Sequence, residues 1–139
     1  MLRGLILAGA LVAAVPAFAE GSFRRVTIVD GDTVILPLTA GFVTAIKIRM
    51  LGIDAPETRG RCLEERQRAA AATARLEQLT ASGVRVVTEL DVDSYGRFLG
   101  RLYDRQGRDL SAVMIAEGHA RPLADGEPRR PWCPPGAAP

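Results

Sequence analysis

A mainly β fold with two helices (α+β) is predicted by the order of hydrophobic patterns along this 139-residue chain. Three segments rich in β-branched residues come first, and a long helical pattern follows them. Two further strand-like segments then precede a second, shorter helical pattern. The predicted order is therefore β-β-β-α-β-β-α. Five strands with a helix between the third and the fourth are typical of a small closed Greek-key barrel, the five-stranded OB fold.

The first three strands are separated by turn signals. Phe23 to Val29 is rich in β-branched and aromatic residues and ends at the turn signal Asp30-Gly31. Thr33 to Leu38 is predicted to be its hairpin partner. In the third strand, 46–50, apolar residues alternate with cations. Because side chains alternate between the two faces of a strand, Arg49 is expected on the face opposite its apolar neighbours.

The remaining elements follow the loop at Pro56. Leu63 to Thr80 is the best helix, since strong helix formers fill it. Its apolar residues are expected near one face: Leu63, Ala69, Ala72, Leu76 and Leu79. Val84 to Leu90 and Phe98 to Tyr103 are the fourth and fifth predicted strands. Asp109 is a suitable N-cap for a short second helix.

The N-terminal residues 1–19 have the pattern of a secretory signal peptide. Arg3 precedes an apolar run, and Ala17-Phe18-Ala19 is an A-x-A cleavage site. The apolar run is too short for a bilayer, which takes about 20 residues to cross. We therefore expect cleavage after Ala19, a secreted or periplasmic protein, and no membrane anchor after cleavage. One domain is predicted over 20–133, followed by a disordered proline-rich tail, 134–139.

Charge and cysteine content narrow the possible partners. The net charge is only +2, so a broad basic face for nonspecific nucleic-acid binding is not evident. Cys62 and Cys133 are the only cysteines. In an exported chain they are interpreted first as one disulfide, with two free thiols as the alternative. Such a bridge would tie the C-terminal tail to the body of the domain.

Two acidic motifs offer ligands for a hard cation. Asp32 and Asp54 each lie at the end of a strand, next to a turn. Calcium takes its oxygen ligands from carboxylates, backbone carbonyls and water, and tolerates irregular geometry. Two carboxylates make an incomplete set, so the expected affinity without substrate is weak, about 10⁻⁴–10⁻³ M. Considered alone, the pair Asp30-Gly31 more often marks a simple turn.

Three other side chains have the chemistry needed to hydrolyse a phosphodiester. Glu57 could deprotonate an attacking water as a general base. Arg49 and Arg97 could bind phosphate oxygens bidentately and stabilise the charge that builds up during in-line attack. Each residue alone is better explained by a surface ion pair (the arginines) or a solvated loop charge (Glu57). Their joint occurrence in three turn-flanked motifs predicts metal-assisted phosphodiester hydrolysis.

Three strings resemble those of the staphylococcal nuclease (thermonuclease) family: D-G-D-T at 30–33, R-x-x-G-I-D-A-P-E at 49–57 and D-x-Y-G-R at 93–97. The resemblance covers about 26–121. It implies an OB-fold barrel that binds one calcium ion and hydrolyses DNA and RNA, leaving 3′-phosphate ends. By motif, the calcium ligands match Asp32, Asp54 and the backbone carbonyl of Ala55. The catalytic residues match Arg49, Glu57 and Arg97.

Departures from the family pattern leave the substrate open. The segment 122–126 lacks the tyrosines that stack on the substrate base in some family nucleases, and Ser94 replaces a common basic residue. The expected protein is a monomeric, calcium-dependent nuclease that degrades DNA and/or RNA with low sequence specificity. The alternatives are a non-catalytic OB-fold module that binds nucleic acid or another polyanion, and a hydrolase of another phosphodiester.

Overall fold

The computed structural model describes residues 18–40 and 43–138. The predicted signal peptide, apart from its last two residues, lies outside this part of the chain. Within the described ranges, neither helix is long and apolar enough to span a membrane. The elements follow in the order β1 (Phe18–Phe23), β2 (Thr27–Asp30), β3 (Thr33–Ala40), β4 (Val43–Met50), β5 (Ile53–Asp54), α1 (Leu63–Thr80), β6 (Val84–Val92), β7 (Phe98–Tyr103), α2 (Leu110–Ala116) and β8 (Arg121–Pro122).

The main sheet is closed by one bent stretch of chain. Its six strands have the order β1-β6-β7-β4-β3-β2, so β1 and β2 are the two ends. Only residues 24–26 separate these two strands in the sequence. The stretch 18–30 therefore pairs with β6 through its first half and with β3 through its second half, which joins the ends of the sheet. Counted in this way, the domain has the five strands of the predicted OB barrel.

The predicted bounds of the first strand are wrong. Instead of one straight strand over 23–29, the chain forms β1 and β2 with a break at 24–26. The physical reason is closure, because a strand that exchanges one partner for another must bend at the corner. Strand propensity alone does not reveal such a corner.

The parallel pairing of β4 with β7 determines where the motifs meet. Ile48 lies opposite Phe98, and Arg49 lies opposite Leu99. The backbone N–H of Met50 donates to the carbonyl of Asp32 at 2.8 Å, which fixes the end of β4 beside the β2–β3 turn. The three sequence motifs therefore converge at one end of the barrel.

Helix α1 closes one side of the core and has the predicted bounds. Ala69, Ala72 and Leu76 are fully buried against the sheet, whereas Leu63 is 61% exposed. The predicted inward position of Leu63 is wrong because, at 100° per residue, this side chain points away from the face that Ala72 and Leu76 share. Much of the rest of the core comes from alternate strand residues and two residues of α2: Val34, Leu36, Ile48, Met50, Val86, Leu102, Leu110 and Met114.

A small second sheet brings the C-terminal part of the chain to the site. Ile53 pairs with Pro122, and Asp54 pairs with Arg121. Sequence patterns did not predict these strands, since two residues are too few to show alternation and Pro122 has no N–H to donate. Their pairing places everything that follows Arg121 beside the motif that contains Asp54.

Candidate active site

The turn between β2 and β3 holds the first predicted metal ligand. The backbone N–H of Asp32 donates to Oδ1 of Asp30 at 3.1 Å, so Asp30 shapes the turn. The Asp32 carboxylate is buried and accepts hydrogen bonds from the hydroxyl of Thr33 at 2.9 Å and the N–H of Ala55 at 2.7 Å. A Cβ on Gly31 would stand 2.8 Å from the Cβ of Ala55, so only glycine permits this close approach.

The buried environment of Asp32 raises the pKa of its carboxyl when no cation is bound. Burial raises the pKa of this carboxyl from 3.8 to about 6, even though Arg49 opposes the shift. The neighbouring Asp30 charge contributes to this rise in the pKa. A bound cation would offset both effects, which is the behaviour expected of a metal ligand held ready in a buried turn.

Asp54, the second predicted ligand, lies in β5 and its side chain is 3% exposed. Its Oδ1 accepts a hydrogen bond from Nε of Arg129, and its Oδ2 accepts one from the indole N–H of Trp132 at 3.0 Å. The next residue, Ala55, links the two ligands, since its N–H binds Asp32 and its carbonyl accepts from Nη2 of Arg129 at 3.1 Å. The predicted oxygen ligands therefore belong to one hydrogen-bonded cluster.

Arg49 is held rigidly at the end of β4. Its guanidinium donates to the carbonyls of Met50 at 2.7 Å and Ile53 at 2.8 Å, and lies 3.2 Å from Oδ2 of Asp32. Two backbone carbonyls and one carboxylate thus define its orientation. Arg49 faces a cavity of about 190 Å³, and Arg97 lines the same cavity.

Arg97 is oriented by the turn that precedes it. Its Nε donates to Oδ2 of Asp93 at 2.7 Å, while Oδ1 of Asp93 accepts the backbone N–H groups of Tyr95 and Arg97. Burial alone would raise the pKa of Asp93, but these hydrogen bonds outweigh burial and lower it. Nη1 of Arg97 also lies 3.5 Å from the hydroxyl of Thr33, which in turn binds Asp32. Both predicted arginines therefore border the acidic cluster.

Glu57 extends from the loop after β5 and is 45% exposed. Sequence reasoning missed the residue that fixes this loop. The buried carboxylate of Glu65, in the first turn of α1, accepts the backbone N–H of Glu57 at 3.3 Å and that of Arg61 at 2.9 Å. A glutamate three residues after the N-cap is a common capping signal, but its reach into the preceding loop is not visible in the pattern.

Arg129 and Trp132 are the main residues of the site that sequence reasoning missed. Arg129 contacts Asp54, the carbonyl of Ala55 and Oε1 of Glu57. Burial lowers the pKa of Arg129, but its hydrogen bond with Glu57 and the charges of Asp54 and Glu57 outweigh burial and raise it. The guanidinium therefore stays positive. The only signal in the sequence was a lone tryptophan beside a cysteine in an otherwise polar, proline-rich segment.

The C-terminal segment, residues 121–133, is fastened at both ends. Its start pairs with β5, and its end carries Cys133, which is bonded to Cys62 with the Cα atoms 5.9 Å apart. The guanidinium of Arg121 stacks on the ring of Trp132 with its Cζ 3.5 Å from the centroid. These contacts hold Trp132, which is 9% exposed, against Asp54.

The donor set fits a hard divalent cation. Asp32 and Asp54 offer carboxylate oxygens, and Ala55 offers a carbonyl, which are the atoms that calcium prefers. Three acceptors in this cluster already surround one positive group, the guanidinium of Arg129. The site therefore attracts positive charge at the point where the predicted ligands and the predicted base meet.

An OB barrel with these three sequence motifs at one end is the fold that the resemblance to the staphylococcal nuclease family implies. Comparison with known proteins agrees, since residues 47–130 match the family described as staphylococcal nuclease homologues. The chain belongs to this family.

Curated relatives match most of the chain. It is 35% identical to a protein named micrococcal nuclease from Shigella flexneri, over 86% of this chain and 68% of that protein. The chain is 34% identical to the protein ParB of Escherichia coli, over 86% of this chain and 67% of ParB. An uncharacterized endonuclease of Escherichia coli O157:H7 is 31% identical over 70% of the chain and 58% of its own length.

Proposed function

We propose that this protein is a calcium-dependent nuclease that hydrolyses phosphodiester bonds of DNA and/or RNA with low sequence specificity. One observation carries the proposal. The residues proposed as cation ligands (Asp32, Asp54 and the Ala55 carbonyl), as base (Glu57) and as phosphate-binding cations (Arg49 and Arg97) lie at one end of the barrel. The names of the relatives, two of which are a nuclease and an endonuclease, support the same class of reaction.

The metal would be held by Asp32, Asp54 and the carbonyl of Ala55. When bound, calcium supplies charge stabilisation for the phosphate oxygens and a site for substrate to complete its coordination. Buried carboxylates and a backbone carbonyl leave coordination positions for water and phosphate. This incomplete set supports weak binding of the ion without substrate.

Glu57 is the proposed general base. Its exposed carboxylate can accept a proton from a water molecule and release that proton to solvent afterwards. The hydrogen bonds from the loop backbone to Glu65 fix the position of Glu57 relative to the ligands, which is what in-line attack on phosphorus requires.

Arg49 and Arg97 are proposed to bind the phosphate that is cleaved. Both line the same cavity, and each is oriented before substrate arrives by bonds to carbonyls or to Asp93. Preorganised donors of this kind stabilise developing charge without reorganising during the reaction. Contacts to phosphate carry no sequence information, which supports low sequence specificity.

The proposed location is outside the cytoplasm, secreted or periplasmic. The signal-peptide pattern of residues 1–19 and the single disulfide between Cys62 and Cys133 support it. Mass spectrometry of the protein from its own host checks this point. A chain that begins at Glu20 is expected, and a full-length chain retained in the cytoplasm would contradict export.

The proposed activity is tested by hydrolysis of single-stranded DNA by the oxidised protein, with millimolar calcium and with a chelator. We expect cleavage only with calcium, and a loss of about 100-fold or more in Glu57→Gln. Glu64→Gln is a matched control, because Glu64 is an exposed glutamate of α1 paired with Arg68. A folded protein that binds DNA without cleaving it would instead support a binding module.

A further inference from the structure

We propose that Arg129 is a built-in competitor for the metal, a cation of the chain itself that occupies the ligands and must leave before calcium binds. The inference rests on the proposed function, since it concerns the same metal site. It adds a residue from outside the three sequence motifs, and it makes metal affinity depend on the C-terminal segment.

The contacts of Arg129 carry the first step. Its guanidinium donates to Oδ1 of Asp54, to the carbonyl of Ala55 at 3.1 Å and to Oε1 of Glu57. Two of these acceptors are proposed calcium ligands, and the third is the proposed base. Because one planar guanidinium binds all three, it lies against Asp54, the Ala55 carbonyl and Glu57 at the same time.

The positive charges of Arg129 and a bound metal ion would repel each other. A divalent cation on Asp54 and the Ala55 carbonyl would stand directly against the guanidinium, and the two positive groups would compete for the same oxygen lone pairs. Repulsion between neighbouring charges is strong where water is excluded, and the Asp54 side chain is 3% exposed. Arg129 and the metal are therefore alternative occupants of the site.

The exposure of the Arg129 side chain allows its guanidinium to move from the site into solvent. Its side chain is 44% exposed, whereas Trp132, three residues further on, is 9% exposed and bonded to Asp54. Rotation about the side-chain bonds can move the guanidinium into solvent while the backbone stays in place. The competitor can leave without unfolding of the segment that carries it.

The disulfide makes the competition intramolecular. Cys133, four residues after Arg129, is joined to Cys62 at the N-cap of α1. A tether of this length keeps the guanidinium near its acceptors at a high effective concentration. Cutting the tether should therefore favour the metal, and the affinity for calcium should differ between the oxidised and the reduced protein.

The test is calcium binding without substrate, measured by titration calorimetry on the oxidised protein. If the closed form outweighs the open form about ten to one, it weakens the apparent calcium affinity about tenfold. We therefore expect Arg129→Ala to bind calcium about tenfold more tightly than the wild type. Arg130→Ala is the matched control, because it removes the same charge from the adjacent exposed residue. It should change the affinity less than twofold.

A second readout uses the tryptophan. Trp132 is the only tryptophan of the chain and contacts a proposed ligand directly, so its fluorescence should change during the titration. A Cys62→Ser/Cys133→Ser variant that keeps its far-UV circular dichroism should shift toward tighter binding, in the same direction as Arg129→Ala.

The outcomes separate the two proposals. Equal calcium affinity in wild type and Arg129→Ala overturns the competition and leaves the calcium-dependent nuclease standing. Weaker binding in Arg129→Ala also overturns it, and assigns Arg129 to organising the ligands. If neither protein binds calcium at millimolar concentration without substrate, the competition is overturned, and the calcium dependence of DNA hydrolysis then decides the proposed function separately.

Discussion

The indole N–H of Trp132 donates a hydrogen bond of 3.0 Å to Oδ2 of Asp54, across 78 residues of sequence. This bond connects the end of the C-terminal segment with a proposed metal ligand that is distant in the sequence. Asp54 is buried, so each of its oxygens needs a donor or a cation. The segment beyond β8 thus forms part of the site, and the predictions below test that role and those of its neighbours.

Replacing Trp132 by phenylalanine should lower stability by about 1–3 kcal/mol, because Oδ2 of the buried Asp54 loses its donor while most of the ring packing is retained. Urea unfolding at neutral pH, with a chelator present, measures the change. A comparison substitution, Phe98→Leu, alters a partly buried aromatic residue of β7 and calibrates the packing loss. An unchanged unfolding midpoint in Trp132→Phe would show that the bond contributes nothing to stability.

Replacing Arg97 by lysine should lower kcat by about 100-fold, since an ammonium group cannot reproduce a bidentate contact with phosphate. Steady-state hydrolysis of DNA with saturating calcium measures it. Arg101→Lys is the control, because Arg101 lies in β7, four residues after Arg97, and pairs with Asp109 in an exposed position. Equal kcat values for the wild type and Arg97→Lys would show that Arg97 forms an ion pair with Asp93 but does not contribute to catalysis.

Asp32 should make the metal-free protein less stable as the pH rises. Its pKa is raised in the folded state from 3.8 to about 6 by burial, so the folded protein holds the proton more tightly than the unfolded chain does. Its favourable contribution is complete below about pH 4 and is lost as the pH rises through 6, by about 3 kcal/mol in total.

Unfolding of Asp32→Asn in a chelating buffer from pH 4 to pH 7 checks this sign. The variant should gain stability relative to the wild type as the pH rises, because its neutral amide acquires no charge in the buried turn, whereas the Asp32 carboxyl does. A stability difference that does not change with pH would show that Asp32 titrates normally in the folded protein.

Elements that a long stretch of sequence encodes were predictable, and elements of only two or three residues were not. The OB barrel, α1 with both its bounds and the N-cap Asp109 were predictable, because 18 helical residues or a whole alternating strand contain enough positions to show a period. The two-residue strands β5 and β8 and the break at 24–26 were not, since each depends on tertiary closure. Asp30 was correctly assigned to the turn, and its hydrogen bond with Asp32 shows how.

Within the site, the sequence did not show which distant groups contact each other. Arg49, Arg97 and the carboxylates lie in recognisable local strings, but nothing local indicates which distant group each will contact. Arg129 meets Glu57 across 72 residues and Asp54 across 75. Such contacts are fixed by β8 and by the Cys62–Cys133 bond rather than by the residues around Arg129.

The last prediction concerns Tyr95, whose ring stands out from the turn that positions Arg97. The residue is 82% exposed, and the Cζ of Arg97 lies 5.3 Å from the ring centroid. A tyrosine at the rim of a phosphate site can stack on a substrate base, which contributes about 1–3 kcal/mol per base. Because 122–126 contains no aromatic residue, Tyr95 is the aromatic side chain best placed for this contact.

We therefore expect Tyr95→Ala to raise KM for single-stranded DNA about tenfold, which lies within that range of stacking energies. Stability should barely change, since the ring is exposed, and Tyr95→Phe should restore KM because it retains the aromatic face. A KM for Tyr95→Ala equal to that of the wild type would show that Tyr95 does not stack on a substrate base. A rise shared by Tyr95→Phe would instead assign the effect to the phenol hydroxyl, because that group is all that the phenylalanine lacks.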